Sequence, residues 1–174
     1  LSGGMKQRLV MVVSTLLNPE LLIADEITSA LDVTSQRLVI DLLQKKRQSR
    51  IVNAVLYITH DLAVLSQIAD RILILYAGQQ AEIGNTRKLL SQPHHPYTQA
   101  LVASLPDQHD RFTERQVPGI AGAPPELLEI GPGCRFRFRC PHATTVCENR
   151  DPVPEPVSAG HIISCHHWKD IRKP

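Results

Sequence analysis

The sequence lacks long hydrophobic runs, a surplus of one charge and, over its first 133 residues, cysteine. No apolar stretch approaches the roughly eighteen residues that a membrane-spanning helix needs, so no such helix is predicted. The 19 basic and 17 acidic residues leave a net charge of +2, which is too balanced to indicate nucleic-acid binding by itself. The chain has 174 residues, and 43% of them are hydrophobic, which is enough for a globular core in one or two domains.

The first twenty residues predict a helix that begins at a small polar turn. Ser2, Gly3 and Gly4 offer a hydroxyl and open backbone N–H groups where the helix dipole favours an anion. Apolar residues then recur every three or four positions, which predicts one buried helix face that ends before Pro19. The members of this predicted face are Met5, Leu9, Val12, Val13, Leu16 and Leu17.

A short apolar run with two carboxylates at its end follows this helix. Residues 21–24 are uninterrupted apolar side chains, which predicts a strand covered on both faces in a parallel sheet. Asp25 and Glu26 come directly after it, at the edge where open α/β sheets bind ligands. A structural alternative is that the two carboxylates only cap a helix after the strand.

The next sixty residues alternate between helix and strand patterns, which indicates an α/β layer architecture. The predicted elements are a helix over 34–49 with Leu38, Leu42 and Leu43 inward, a strand over 54–58, a helix over 62–68 capped by Thr59 or Asp61, a strand over 71–76 that turns into a hairpin ending near Gly84, and a short helix over 86–91 capped by Thr86.

Four segments in this order resemble the motifs of ABC ATPases. They are Leu1-Ser2-Gly3-Gly4 with Gln7 and Arg8 for the signature motif, residues 21–26 for the Walker B strand, Ser29-Ala30-Leu31-Asp32 for the D-loop, and His60 in Tyr57-Ile58-Thr59-His60-Asp61 for the switch histidine. One departure is Ile27, where the family usually has proline, so the turn after the carboxylates loses a rigid ring but no ligand.

The resemblance implies a role for each matched residue. Asp25 would hold Mg²⁺, Glu26 would orient or deprotonate the attacking water, and His60 would contact the terminal phosphate of ATP. In this family two ATPase domains clamp two nucleotides head to tail. Ser2, Gly3 and Gly4 of the signature would therefore face the nucleotide of a partner. Gln7 and Asp32 complete the set of residues predicted to bind ATP.

The phosphate loop of this family, Gly-x-x-x-x-Gly-Lys-Ser/Thr, does not occur in these residues. The sequence is therefore expected to be the C-terminal part of a longer P-loop ATPase. Alone, it is expected to be catalytically incomplete, because its own carboxylates have no anchored nucleotide.

Two adjacent histidines lie between two prolines at residues 93–96. The prolines predict a turn before a helix rather than a metal site for His94 and His95. Residues 94–101 resemble the His-Pro-Tyr-Thr-x-Ala-Leu element of the ATPase subunits of oligopeptide, dipeptide and nickel importers. That resemblance implies a second, homologous or identical ATPase subunit, two membrane permease subunits, a separate substrate-binding protein, no nucleic acid, and a peripheral place on the cytoplasmic face of the inner membrane.

The last seventy residues are rich in proline and hold all four cysteines. Ten of the 13 prolines lie from Pro106 onward, so this region cannot be mostly helix or central strand. Cys134, Cys140, Cys147 and Cys165 lack the paired knuckles of structural zinc sites, and their loose spacing suits a 4Fe–4S cluster, which several members of the importer subfamily carry here. The alternatives are zinc, with His142, His166 or His167 as a further ligand, and four free thiols.

Residues 135–139 alternate arginine and phenylalanine. Such a pattern is found where aromatic side chains stack on RNA bases. The simpler interpretation is an extended segment with its phenylalanines packed inward and its arginines in water.

The predicted organisation is an α/β ATPase portion over 1–84, a helical connector over 85–105, and a Pro-rich four-cysteine region over 106–174. The predicted function is that of an ATP-hydrolysing subunit of a peptide importer. Two alternatives stay open: a soluble ABC-type ATPase acting on nucleic acid or ribosomes, and a metal-binding regulatory module with a vestigial ATPase half.

Overall fold

A computed structural model describes residues 3–29, 31–105, 119–128 and 130–171. The chain forms two compact units, Leu1–Ile68 and Ala69–Pro174. Among the described residues, no helix is long and apolar enough to cross a bilayer.

The first unit contains a parallel pair of strands connected through a helix. Its elements are α1 (Gly3–Ser14), β1 (Leu21–Asp25), α2 (Val33–Gln48), β2 (Ala54–Ile58) and α3 (Leu62–Ile68). Strands β1 and β2 pair in parallel from Leu21 opposite Ala54 to Asp25 opposite Ile58. The predicted alternation of helix and strand is therefore present, and the carboxyl ends of both strands meet at one edge.

The core of this unit lies between α1 and α2. Met11, Val39 and Leu43 are buried together, and partly buried side chains such as Leu22 and Tyr57 pack against them. The prediction that Leu38 points inward is wrong, because Leu38 is exposed and Val39 takes the buried position beside Leu43.

Helix α1 is shorter than predicted, and its predicted buried face is wrong. The six residues of that face are 42–94% exposed, while Gly4, Met11 and Thr15 are buried. The helix ends at Ser14 because the following amides bond three residues back and Asn18 is in the left-handed region (φ 49). Leu16 and Leu17 therefore lie beyond the helix.

Strand β1 is covered on one face, not on both as predicted. Ala24 is buried and Leu22 partly buried, but the alternate residues Leu21 and Ile23 are exposed. Helices α1 and α2 supply the core of the first unit, and among its described residues the side chains on the opposite face of the two-stranded sheet have no comparable cover.

The second unit contains the strands β3 (Arg71–Tyr76), β4 (Gln79–Asn85), β5 (Glu155–Ser158) and β6 (His161–Ile163), with the helices α4 (Thr86–Ser91), α5 (Pro96–Ala103) and α6 (Thr145–Asn149) and a 3₁₀ turn (Arg137–Arg139). The strands form a four-stranded antiparallel sheet in the order β3-β4-β6-β5. The hairpin turn between β3 and β4 uses Ala77 (φ 49) and Gly78 (φ 81), the left-handed pair that a tight two-residue hairpin requires.

The Pro-rich region contributes two short strands to this sheet. Strand β6 has three residues and no proline, and it pairs with β4 through Glu82 opposite Ile163 and Ile83 opposite Ile162. Pro156 lies in β5 at the sheet edge, the place where a residue without an N–H group is tolerated.

The start of α4 differs from the prediction. Asn85, not Thr86, is the N-cap, and its side-chain oxygen accepts from the N–H of Arg87 at 3.1 Å. The hydroxyl of Thr86 is buried and instead donates to the carbonyl of Ala69 at 2.6 Å. For α3, Asp61 is the capping residue, since it accepts from the amides of Ala63 and Val64.

Candidate functional site

The two predicted carboxylates lie at the edge where the parallel strands end. Asp25 is the last residue of β1 and pairs with Ile58, the last residue of β2. The N–H of Glu26 donates to the carbonyl of Ile58 at 2.9 Å, and Glu26 adopts a left-handed backbone (φ 47). A non-glycine residue in this region carries backbone strain, which is concentrated at functional sites in proteins.

Glu26 and His60 are in direct contact although 34 residues separate them. Oε1 of Glu26 lies 2.9 Å from Nδ1 of His60, and the two side chains are 40% and 79% exposed. The hydrogen bond to Glu26, followed by the charge of Glu26, raises the pKa of His60 above its usual value. The sequence-predicted catalytic pair is thus brought together with its polar atoms open to solvent.

The turn after the carboxylates has Ile27 where the resemblance predicts proline, and contacts of other kinds hold this turn. Ile27 packs against the apolar core of the first unit. The hydroxyl groups of Thr28 and Tyr57 lie 3.0 Å apart, and burial raises the pKa of Tyr57. The hydroxyl of Ser29 donates to the carbonyl of Glu26 at 2.9 Å. Three side-chain interactions therefore hold the segment that a proline ring would stiffen.

Asp32 is a helix cap in this structure. Its carboxylate accepts from the N–H of Ser35 at 2.9 Å and from the hydroxyl of Ser35 at 2.8 Å, and these bonds lower the pKa of Asp32. The residue that caps the helix after this strand is therefore Asp32. Asp25 lies in β1, and Glu26 contacts His60.

The signature residues lie in the first turns of α1. Gly3 begins the helix, Gly4 is buried, and Gln7 is half-buried, whereas Ser2 lies outside the described residues. A Cβ on Gly4 would come within 3.1 Å of the hydroxyl oxygen of Ser35. Gly4 therefore permits the close approach of α1 to the start of α2, which is a packing role beside any role toward an anion. Binding of nucleotide by these residues stays a prediction.

The four cysteines all belong to the second unit and are free thiols. Cys140 follows the 3₁₀ turn, Cys147 lies in α6, and Cys165 follows β6, whose end is fixed by the N–H of Ser164 bonding to the carbonyl of Ala81 at 2.9 Å. The N–H of Cys134 donates to the carbonyl of Cys147 at 2.8 Å.

A glycine makes this approach possible. Gly133 has a φ of 91°, and a Cβ there would overlap the carbonyl oxygens of Cys147 and Glu148.

Burial, with the charge of neighbouring thiols, favours the protonated form of three of these thiols, those of Cys134, Cys140 and Cys165. Burial raises the pKa of Cys134 and of Cys140, and it raises that of Cys165 to about 12. Other members of the group add to each of these shifts, since the charge of Cys147 acts on all three. Four thiols within electrostatic reach of each other form a donor set suited to a cation-rich centre.

The alternating segment 135–139 does not fit either interpretation drawn from the sequence. Phe136 is buried, with ring centroids 5.0 Å from Tyr76 and 5.3 Å from Tyr97, but Phe138 is 64% exposed beside the guanidinium of Arg137. A 3₁₀ turn replaces the expected extended backbone, so the two rings do not point to the same side.

The arginines of this segment bind backbone carbonyls instead of pointing into water. Arg139 donates to Ile120 at 2.8 Å and to Ala121 at 2.9 Å. Arg135 donates to the carbonyl of Ala77, and Arg137 to that of Ile130. Guanidinium groups engaged in this way stabilise the loops of the second unit and do not support stacking on RNA.

The histidine pair takes the predicted turn before a helix. His95 is the N-cap of α5, where its Nδ1 accepts from the N–H of Tyr97 at 3.0 Å, and Pro96 occupies the first turn. Burial lowers the pKa of His95 to about 4, so its imidazole is neutral.

A buried glutamate that the sequence did not single out anchors this turn. Both carboxylate oxygens of Glu82 accept backbone N–H groups at 3.0 Å, one from His94 and one from His95. The ring of His161 lies 2.7 Å from the same carboxylate. Glu82 and His161 are 79 residues apart and belong to no recognisable motif, so only the pairing of β4 with β6 reveals their contact.

One family model matches part of the chain. Residues 81–147 match the family described as "Oligopeptide/dipeptide transporter, C-terminal region". This segment contains Glu82, the His-Pro-Tyr element and three of the four cysteines.

Curated relatives match almost the whole chain. It is 41% identical over 164 residues to the dipeptide transport ATP-binding protein DppD of Bacillus subtilis, which covers 94% of this chain and 48% of that protein. It is 42% identical over 165 residues to the oligopeptide transport ATP-binding protein OppD of Salmonella typhimurium, with the same two coverages. It is 40% identical over 171 residues to DppD of Escherichia coli, covering 98% of this chain and 51% of that protein. The chain spans about half the length of the curated relatives it matches.

Proposed function

Since the chain belongs to the family of oligopeptide and dipeptide transport ATP-binding proteins, we propose that it forms part of an ATP-hydrolysing subunit that powers peptide import. The observation that carries this proposal is the contact between Glu26 and His60 at the carboxyl edge of the parallel strands. A carboxylate and an imidazole at such an edge can position and deprotonate a water beside a terminal phosphate.

The edge residues would take the roles that the resemblance to ABC ATPases implies, and their positions at the strand ends support these roles. Asp25, at the end of β1, would hold Mg²⁺, an ion that prefers carboxylate and water oxygens. Glu26 would accept the proton of the attacking water, and His60 would fix that water and contact the terminal phosphate. The exposure of Glu26 and His60 suits a site that a nucleotide enters from solvent.

The start of α1 would serve the nucleotide of a second ATPase subunit, homologous or identical. Gly3 and Gly4 place their amides in the first turn of a helix, where the helix dipole favours a phosphate. Asp32, bound to Ser35 beside Gly4, would hold the first turns of α1 and α2 together. The subunit pair would drive two permease subunits from the cytoplasmic face of the membrane, and a separate binding protein would deliver the peptide.

The four cysteines would hold a 4Fe–4S cluster rather than a single zinc ion. Four sulfurs at about 2.3 Å from one zinc lie about 3.8 Å from each other. Among the described residues, the group whose ligand atoms lie close enough together for a single metal ion is Glu82, His94 and His161, and it contains no cysteine. His166 and His167 bond the carbonyl of Arg150 and the hydroxyl of Thr144.

A 4Fe–4S cluster is held by four Cys thiolates, which matches the number of cysteines in this region. When bound, a cluster supplies a fixed centre that can stabilise a small core and exchange an electron. The thiols themselves would hold together the 3₁₀ turn, α6 and the end of β6.

The test uses a subunit in which this sequence is joined to a phosphate loop. Glu26→Gln should keep ATP binding and lose ATP hydrolysis by at least a hundredfold, because metal and phosphate contacts remain while the base is lost. Asp41→Asn, an exposed change on α2, is the matched control and should keep the parent rate. Hydrolysis at the parent rate by Glu26→Gln would overturn the assignment.

A further inference from the structure

We propose that Glu82, His94 and His161 form a binding site for one divalent cation of the zinc class. One ligand atom from each of these residues lies within 4.8 Å of the other two. The residues come from β4, from the turn before α5, and from β6. None of them belongs to the four-cysteine set or to the edge that carries Glu26.

The distances fit a metal with only small side-chain shifts. Nε2 of His161 lies 2.7 Å from Oε1 of Glu82, and Nδ1 of His94 lies 3.7 Å from the same oxygen. Nitrogen and oxygen ligands at 2.0–2.2 Å from a tetrahedral zinc ion are about 3.4 Å apart. The His161 contact is at hydrogen-bond distance and would lengthen on metal binding, whereas the His94 contact is already close to that value.

A cation would balance the buried charge of Glu82. Glu82 is fully buried, and the two histidines are each 4% exposed. A buried carboxylate is costly unless a positive charge compensates it. Within the part of the chain that the structure describes, the ion-pair contacts of Glu82 are to His94 and His161, with no lysine or arginine among them. A proton on one imidazole would compensate the carboxylate charge at one contact only, whereas a divalent cation would bind both imidazoles and the carboxylate together.

The surroundings fix the three side chains in place. The amides of His94 and His95 donate to the two oxygens of Glu82 at 3.0 Å, and such second contacts orient metal-binding carboxylates. The ring of His161 covers Gly84, where a Cβ would come within 3.2 Å of it. The ring of His94 packs edge-on against His161, at 5.0 Å, and against Trp168, at 6.0 Å.

A cation here would tie together three parts of the chain that are distant in sequence. His94 and His161 lie 12 and 79 residues after Glu82. Metal binding at such a site is coupled to folding, because the ligands converge only when the strands have paired. The ion would therefore stabilise the attachment of β6 to β4 and of the His-Pro-Tyr turn to the sheet.

The experiment separates this site from the thiols. The chain with serine at all four cysteine positions is prepared without metal and titrated with Co²⁺. We expect one equivalent to bind, with the visible absorption of nitrogen and oxygen ligands and without sulfur-to-cobalt charge transfer. His161→Asn and Glu82→Gln in this background should bind none, and His166→Asn, a change outside the set, should still bind one.

The same comparison in the unchanged chain covers the case in which the four-serine chain fails to fold. The chain is grown in zinc-supplemented medium, and zinc is measured by elemental analysis in the parent, His161→Asn and His166→Asn proteins, each checked for folding by circular dichroism. Loss of one zinc equivalent in His161→Asn alone supports the site. Equal zinc content in all three proteins, or the absence of cobalt binding by a folded four-serine chain, would overturn the proposal in favour of a protonated Glu82–His161 pair.

Discussion

Two glutamates of this chain meet histidines, and their surroundings give the two contacts different chemistry. Glu26 and His60 are largely open to solvent, so the carboxylate can exchange a proton with a water or a substrate. Glu82 and His161 are closed off, and the amides of His94 and His95 hold the carboxylate from the other side. The exposed pair suits proton transfer, whereas the buried pair suits structure and metal binding.

The titration of His60 tests the exposed pair. The hydrogen bond to Glu26, with the charge of that carboxylate, raises the pKa of His60, so Glu26→Gln should lower it toward the usual value of about 6.5. Histidine C–H signals followed by NMR across pH 5–9 measure this change, with Asp41→Asn as the control. An unchanged His60 titration in Glu26→Gln would show that the pair does not form in solution.

The raised pKa of His60 also determines how its contact with Glu26 contributes to stability as the pH changes. A histidine with a raised pKa in the folded state binds its proton more tightly there than in the unfolded chain. Its contribution to stability is therefore complete below the unfolded pKa and is lost as the pH rises through the folded value. Glu26→Gln should remove this pH-dependent part of the unfolding free energy.

At the scale of single elements, the sequence predicted strand and helix positions better than burial. The strand β2 and the helix α3 begin and end where predicted, because the apolar runs and capping residues that define them are local. The buried face of α1 could not be predicted, since periodicity says which side is apolar and not whether anything covers it. The arrangement of the alternating segment 135–139 could not be predicted for a related reason, because backbone carbonyls from distant loops determine where its arginines lie.

A glycine substitution tests how α6 is joined to the segment of Cys134. Gly133→Ala should strongly destabilise the second unit, because its Cβ would overlap the carbonyl oxygens of Cys147 and Glu148. Gly160→Ala is the matched control: it also has positive φ, but no atom of the described residues lies within 4 Å of the added Cβ, so it should cost only the backbone strain of about 1–2 kcal/mol. Urea unfolding of both variants measures the difference. Equal losses would mean that the two segments do not approach as closely as described.

At the scale of the molecule, the edge that carries Glu26 and the set of four cysteines could be predicted from the sequence in different detail. The edge that carries Glu26 and His60 could be predicted because its residues lie in contiguous motifs at the ends of adjacent strands, and the two side chains do meet. The cysteines were readable as a set but not as a geometry, since their spacing in sequence says nothing of Gly133 or of the pairing of β6 with β4. Glu82 could not be found, because a lone glutamate in a strand has no signature until the sheet places His161 against it.

The cysteine set gives the prediction that belongs to the whole second unit. A Pro-rich region with short strands has a small core, and a bound centre can supply the stability that this core lacks. Purified without oxygen, the chain should be brown, with broad visible absorption and about four iron and four sulfide per chain. Replacing any one of the four cysteines with serine should bleach it and make the second unit more sensitive to protease, whereas the Glu26–His60 contact in the first unit should persist. A colourless anaerobic protein with one zinc that is lost on Cys147→Ser would assign the thiols to zinc, and a metal-free folded protein would leave them as buried thiols.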